Sequence, residues 1–286
     1  MKINSVANYY KCLTFKGNET NKTEQSNTLS ASTYVSPEQK LNAIMPRVEL
    51  LSLYDDICKD LKLDYKPKLN LIEHNKDITG GGYTFQKNTI DLSMEDLTES
   101  DYKIVGTKNG KKVVLVSPKN SMPLFASKEL GQEFLDNAKK NKNFGFDNLE
   151  MVPTTSADKK RLIVQKISHE LIHAQQHMIL RQTEGIGAKE ILKAWTHIKP
   201  ANPQDYVKLN ELSQKLYEQS FWADKPMDTP KVGKFTPVGF MALKWLDAIK
   251  NYPPFASPQY EINAIEVDAY RRSAQYAMMK FGPLMP

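Results

Sequence analysis

Two histidines and a glutamate in the stretch Ser168–Gln176 have the types and the spacing of a metal site. His169 and His173 are four residues apart, so on an α-helix their imidazoles lie on one face and can bind one ion. Glu170 follows His169 and can lean toward the same ion without binding it. Zinc accepts imidazole nitrogen and, in catalytic sites, keeps a position for water, whose proton a neighbouring carboxylate can take. The pattern therefore predicts two metal ligands and a general base within about one and a half helical turns.

The residues around this motif predict a helix from about Ser156 to Arg181. Between the two histidines, Leu171 and Ile172 make the other faces of the helix apolar. The preceding turns are apolar as well, with Leu162, Ile163, Val164 and Ile167. A charged Glu170 in such a buried helix needs a partner. This favours a metal site over the alternative, a chance match of five residues whose histidines are simply solvated.

A third metal ligand is expected in the downstream segment Tyr260–Tyr270. Glu266 is the preferred candidate, because Ala269 lies three residues later on the same helical face and its small side chain allows close approach. The segment otherwise has the composition of a helix with solvated acids, which is the alternative interpretation. The less favoured candidate ligands are Glu261, Asp268 and His177.

His169-Glu170-x-x-His173 followed by Glu266-x-x-Ala269 resembles the zincin metallopeptidases of the gluzincin type. In that family two histidines and a glutamate from a later helix bind zinc, and the glutamate inside the motif is the general base. The resemblance implies zinc-binding roles for His169, His173 and Glu266, and the catalytic role for Glu170. It covers only these two short stretches.

The resemblance also implies a layout, in which a twisted sheet with a substrate-receiving edge strand precedes the active helix and a helical lobe. By its order in the chain, the segment Tyr83–Leu92 corresponds to that edge strand. One departure concerns Tyr270, which stands where thermolysin-like enzymes have an aspartate, so that the orientation of Glu266 lacks the support this aspartate gives.

The order of the predicted elements indicates an α+β fold, with a small, mostly antiparallel twisted sheet before the active helix and a C-terminal helical lobe after it. Ser36, Pro37 and Glu38 are typical of a helix start, and this helix should reach Leu61 with a break at Pro46. Strands are predicted at Lys68–Glu73, Tyr83–Phe85, Thr89–Leu92, Lys103–Gly106 and Val113–Ser117, the last two joined through Asn109-Gly110. Further helices are predicted at Ser127–Lys140, Lys189–His197, Asp205–Trp222, Val238–Asn251 and Tyr260–Phe281, and a loop at Lys142–Thr155.

The chain has 286 residues, enough for one domain with a substantial core. Residues 1–35 are expected to be a disordered tail, because the run Gly17–Ser32 is almost wholly polar. Residues 36–286 then form the zincin-like domain, with a sheet-containing lobe over 36–182 and a helical lobe over 183–286.

The net charge of +6 comes from scattered lysines, which form no basic face, so we expect no nucleic-acid partner. Cys12 and Cys58 are predicted to be free thiols, although they could pair. The sequence has neither a signal-peptide core nor a membrane-length apolar run, which predicts no membrane partner and a cytoplasmic location, with export by another route left open.

The sequence as a whole favours a zinc-dependent hydrolase that acts on a peptide or protein substrate. A zincin-fold binding module without turnover is the alternative, and Glu170 speaks against it because metal binding alone does not need this residue. A nucleic-acid regulator is a third possibility, but no helix-turn-helix pattern supports it. The candidates for stabilising the oxyanion, left open, are Tyr260, Tyr270 and His197.

Overall fold

The computed structural model describes residues 35–73, 81–115, 124–125, 128–140, 146, 148–184, 204, 207, 242, 244–245, 248–249, 251–253, 257–283 and 285–286. The helices are α1 (Pro37–Ile44), α2 (Arg47–Asp60), α3 (Met94–Thr98), α4 (Lys128–Lys140), α5 (Ser156–Glu184), α6 (Pro258–Glu261) and α7 (Ala264–Phe281). The strands are β1 (Lys68–Ile72), β2 (Gly81–Thr84), β3 (Thr89–Ser93), β4 (Tyr102–Lys108), β5 (Lys111–Val114), β6 (Leu124–Phe125) and β7 (Asn148–Pro153). The chain is thus of the α+β class, as predicted.

Several predicted features lie outside the described residues. These are Cys12, nearly all of the tail 1–35, the helix Lys189–His197 and almost all of the helix Asp205–Trp222. Of the helix Val238–Asn251, scattered residues between 242 and 249 are described, and they are helical. Among the described parts of the chain, no helix is long and apolar enough to cross a membrane.

The N-terminal helices begin and break where the sequence predicted. The Ser36 side chain accepts a hydrogen bond from the Gln39 N–H, and the Gln39 side chain accepts one from the Ser36 N–H, which forms a capping box. Pro46 separates α1 from α2, since a proline cannot supply the N–H that a continuous helix needs. The apolar side chains of Leu50, Tyr54 and Ile57, which share one face of α2, are buried.

The first sheet has three strands in the order β1-β3-β2. β2 and β3 form an antiparallel hairpin, with Tyr83 opposite Ile90. β1 pairs with the other edge of β3 and runs parallel to it, with Lys68 opposite Thr89. The sequence predicts a mostly antiparallel sheet. In this sheet the pairing of β2 with β3 is antiparallel, whereas the pairing of β1 with β3 is parallel. β2 is left at one end of the sheet.

The second sheet is antiparallel and is built around β4, which pairs with β5, β6 and β7. Asn109 (φ 52°) and Gly110 (φ 72°) join β4 to β5, and two successive residues with positive φ form the tight turn predicted from this dipeptide. The prediction of a loop over Lys142–Thr155 is wrong, because β7 lies within it. Leu149 and Met151 lie two residues apart on one face of β7 and contact an apolar cluster that includes Ile104 and Phe125. Pro153 is tolerated because it is the last residue of the strand.

The core of the molecule forms around α5, which packs against α2, α3, the first sheet and α7. Ile163, Val164, Ile167 and Leu171 of α5 are fully buried in it. α5 is thus packed on several sides, which positions it relative to the first sheet and α7, and α5 carries the two histidines.

The predicted single helix Tyr260–Phe281 is wrong in one respect, since it is divided into α6 and α7. Asn263 interrupts the helix, because its side-chain oxygen accepts a hydrogen bond from the Ile265 N–H and caps the start of α7. Its side-chain N–H group donates to the carbonyl of Ala248. α7 therefore starts at a fixed point, with Glu266 in its first turn.

Candidate metal centre

His169, His173 and Glu266 converge on one point between α5 and α7. The Nε2 atoms of the two histidines are 3.1 Å apart. Glu266 Oε2 lies 3.4 Å from His169 Nε2, and Glu266 Oε1 lies 3.5 Å from His173 Nε2. The Glu266 side chain is only 1% exposed. The three side chains that the sequence singled out as ligands are thus brought together in the interior.

The helices account for this convergence. The two histidines are four positions apart on α5, so both rings project from the same face. Ala269, one turn after Glu266, is fully buried where α7 packs on α5. A larger side chain there would push the helices apart, as the sequence argument required.

These atoms have the spacing of ligands around one small ion. Nitrogen and oxygen ligands at about 2.1 Å from a tetrahedral ion lie about 3.4 Å from one another. The observed separations of 3.1, 3.4 and 3.5 Å agree with this value. In addition, the buried Glu266 Oε2 accepts no hydrogen bond from any described residue. Two imidazoles and a carboxylate with such an oxygen fit a divalent metal ion.

Electrostatics keep Glu266 ionised and ready to bind a cation. Burial opposes ionisation of this carboxyl, but the imidazoles of His169 and His173 and the hydroxyl of Tyr252 outweigh burial and lower its pKa to about 2. Tyr252 donates its O–H to Glu266 Oε1.

Glu170 lies beside the cluster in a different environment. Its side chain is buried, and burial together with the charge of Glu266 raises its pKa to about 7, against the opposing effect of His173. The backbone N–H of Tyr83 donates a hydrogen bond to its carboxylate. At neutral pH this group can therefore exchange a proton, as a general base must.

β2 approaches Glu170 closely through a glycine. A Cβ atom at Gly81 would lie 2.5 Å from Leu92 Cδ2 and 3.7 Å from Glu170 Cγ, so only glycine fits without displacement. In an antiparallel pair, successive N–H groups point to alternate sides of a strand. Because the Tyr83 N–H reaches Glu170, the edge of β2 that faces away from β3 is turned toward the cluster.

The less favoured ligand candidates do not join the cluster. His177 stacks on Phe85, with ring centroids 4.8 Å apart and planes inclined by 9°, and lies 5.6 Å from the ring of Tyr83. Asp268 is buried but accepts hydrogen bonds from Gln176 and Arg272. The side chain of Glu261 lies outside the described part of the molecule.

The structure describes the surroundings of two of the three candidates for oxyanion stabilisation. The Tyr270 ring packs on His169 with centroids 4.4 Å apart, and Tyr260 packs edge-on against Tyr252 at 5.8 Å. His197 is not among the described residues. Tyr252, which contacts Glu266, was missed by the sequence argument, because neither a motif nor a helical period marks it.

The chain was compared with protein-family models, with curated proteins and with solved structures, and none of the three comparisons gave a match.

Proposed function

We propose that the chain is a zinc-dependent hydrolase that cleaves peptide bonds, and that its fold is a zincin of the gluzincin type. One observation carries the proposal: His169, His173 and Glu266 converge at ligand distances, with the buried Glu170 carboxyl next to them. A site that only held a metal would not need this fourth group. Its presence supports catalysis over a binding role alone.

Zinc is the metal that these ligands favour, because two imidazole nitrogens and one carboxylate oxygen suit its tetrahedral coordination. When bound, zinc polarises a carbonyl oxygen and lowers the pKa of water toward about 7. His169, His173 and Glu266 would hold it.

Glu170 acts as the general base in this proposal. Its buried carboxylate takes a proton from the attacking water and later passes it to the leaving amine. The Tyr83 N–H fixes the carboxylate in place, and burial raises the pKa of this carboxyl in the metal-free site to about 7, a value that a bound cation would lower toward the ionised form a base needs. Through the same hydrogen bond the Glu170 carboxylate contacts β2.

β2 is the proposed binding strand for the substrate. A peptide in extended conformation adds to those main-chain groups of the strand's outer edge that Glu170 leaves open, since the Tyr83 N–H on that edge already binds Glu170. That edge faces Glu170, so an added peptide would place a carbonyl near the base. Such binding depends mainly on backbone contacts, which makes an extended peptide or unfolded protein segment the expected substrate class.

Tyr252 is the proposed donor to the developing oxyanion, for which its O–H must turn away from Glu266 Oε1, the group that it binds in the structure. Burial and the charge of Glu266 raise the pKa of its hydroxyl, so it remains an O–H donor at neutral pH. It is 48% exposed, so part of the side chain remains open to a ligand. A donor placed at the site before the reaction can stabilise the charge that forms there.

The test is cleavage of a peptide mixture by the zinc-loaded protein and by Glu170→Gln. The variant should keep zinc and lose at least ~100-fold of the cleavage rate, the scale of a lost general base. Glu150→Gln is the matched control, since Glu150 pairs with Lys112 on the surface. Zinc binding without any cleavage by the wild type would refute the hydrolase and favour the binding module, and equal rates in wild type and Glu170→Gln would refute the role of Glu170.

A further inference from the structure

We propose that Gln176 is a positioning residue, which fixes the tautomer of His173 and is itself oriented by Asp268. The inference rests on the proposed metal site, because it concerns how one ligand is prepared for the ion. The evidence for this role is a set of hydrogen bonds between α5 and α7 that the proposed reaction does not use.

The amide of Gln176 has one possible orientation. Its Nε2 lies 2.6 Å from Asp268 Oδ2 and 3.1 Å from the carbonyl oxygen of Ile265. Both neighbours are acceptors, so the NH2 group must face them and use both of its hydrogens. Gln176 is completely buried, so water cannot satisfy a flipped amide. The oxygen Oε1 must therefore point in the other direction, toward His173.

This orientation determines the protonation of His173. Gln176 Oε1 lies 2.8 Å from His173 Nδ1 and can only accept a hydrogen bond. Nδ1 must therefore carry the proton, which leaves Nε2 with a lone pair. Nε2 is the atom that faces His169 and Glu266 at 3.1 and 3.5 Å. The amide thus holds the imidazole in the form that binds a metal.

A buried ion pair keeps Asp268 in the acceptor state. Arg272 Nη1 donates to Asp268 Oδ2 at 2.9 Å, and the two side chains are 1% and 3% exposed. Arg272 also donates to Gln175, whose Nε2 donates to the Leu61 carbonyl at 2.6 Å. The network therefore runs from the end of α2 through α7 to the ligand on α5.

His169 is positioned differently and provides an internal comparison. Its Nδ1 has no hydrogen-bond partner among the described residues. Its ring is held by packing against Tyr270 instead. A change at Gln176 should consequently alter His173 and leave His169 as it is.

The decisive experiment is NMR of the metal-free full-length protein with ¹⁵N-labelled histidine. Long-range ¹H–¹⁵N spectra at about pH 8.5, above the ordinary titration range of histidine, show which ring nitrogen carries the proton. The His173 signal is assigned by its loss in His173→Gln. Protonated Nδ1 in the wild type is the expected result, and protonated Nε2 would overturn the proposal.

The variants test whether Gln176 is the cause. Gln176→Leu should release the tautomer and weaken zinc binding by about 10–100-fold in a competition titration with a chelator. Gln175→Leu is the matched control: it also removes a buried amide of α5, and with it one partner of Arg272, but it leaves the Arg272–Asp268 pair and the hydrogen bond between Gln176 and His173 in place. An unchanged tautomer in Gln176→Leu, or an equal change in Gln175→Leu, would contradict the proposal.

A rescue separates positioning from general damage. Gln176→Glu alone places two carboxylates in contact and should weaken zinc binding. Adding Asp268→Asn removes one of the two carboxylates and supplies a donor to the new one, so the double variant should recover protonated Nδ1, although the Ile265 carbonyl and Arg272 lose the partners that Gln176 and Asp268 give them. No recovery would count against the proposed orientation. Because the tautomer is read without zinc or substrate, a missing peptidase activity would refute the function and leave this result intact.

Discussion

Replacing Glu170 by glutamine should stabilise the metal-free protein above pH 7, although the residue is the proposed general base. Folding raises the pKa of this carboxyl from its ordinary value of 4.5 to about 7, chiefly through burial. The folded state thus disfavours the ionised form. The wild type should lose stability as the pH rises from 4.5 to 7, whereas the variant has no such group to ionise.

The magnitude follows from these two values. A tenfold change in an ionisation constant corresponds to about 1.4 kcal/mol, so the interval from 4.5 to about 7 gives a limit of about 3 kcal/mol. Glutamine keeps the shape of the side chain and can still accept the hydrogen bond from the Tyr83 N–H. The variant should therefore gain up to about 3 kcal/mol over the wild type at pH 8 and almost nothing at pH 4.

The assay is urea unfolding followed by circular dichroism at several pH values, with a chelator present. Added zinc should reduce the advantage of the variant, because a nearby cation favours the ionised carboxylate. Glu150→Gln on the surface should show no comparable dependence on pH. A difference between wild type and Glu170→Gln that does not change from pH 4 to pH 8 would refute the buried, perturbed carboxyl.

Three further predictions concern the elements around the site. Gly81→Ala should lower the free energy of unfolding by about 1–3 kcal/mol in urea titrations, because its Cβ would lie 2.5 Å from a buried leucine; unchanged stability would show that this contact relaxes freely. Tyr83→Pro removes the N–H that holds the general base and should slow peptide cleavage by about 10–100-fold with zinc retained, whereas Tyr83→Phe keeps that N–H and should cleave normally. Lys103→Met leaves the buried Asp158 without its cation and should lower the free energy of unfolding by about 3–5 kcal/mol, measured by thermal and urea unfolding. Unchanged stability would contradict a stabilising ion pair between Lys103 and Asp158.

Local signals in the sequence were sufficient for elements that local chemistry determines. The spacing of His169 and His173 required one helical face, and Asn109-Gly110 required a tight hairpin turn. Glu266 could be chosen as the third member of the cluster because Ala269 allows two helices to approach. In each case the relevant physical constraint acts within a few residues.

Other features depend on contacts between distant segments and left no local pattern. The sequence predicts a loop where β7 lies, because Pro153 at its end resembles a turn signal and its pairing with β4 is not visible in the sequence. Asp268 has the chemistry of a metal ligand, yet it binds Gln176 across the interface between α5 and α7. Tyr252 reaches Glu266 from a separate segment. Only the packing of the helices reveals these partners.

The most direct test of the metal site is the zinc content of purified protein after dialysis, measured by plasma mass spectrometry. Wild type should carry about one zinc per chain, the content of a single site with three protein ligands. Loss of zinc is expected in His169→Ala, His173→Ala and Glu266→Ala. His177→Ala, one turn further along α5 and stacked on Phe85, should retain it. Full zinc retention in the three ligand variants, or its loss in His177→Ala alone, would contradict the assignment.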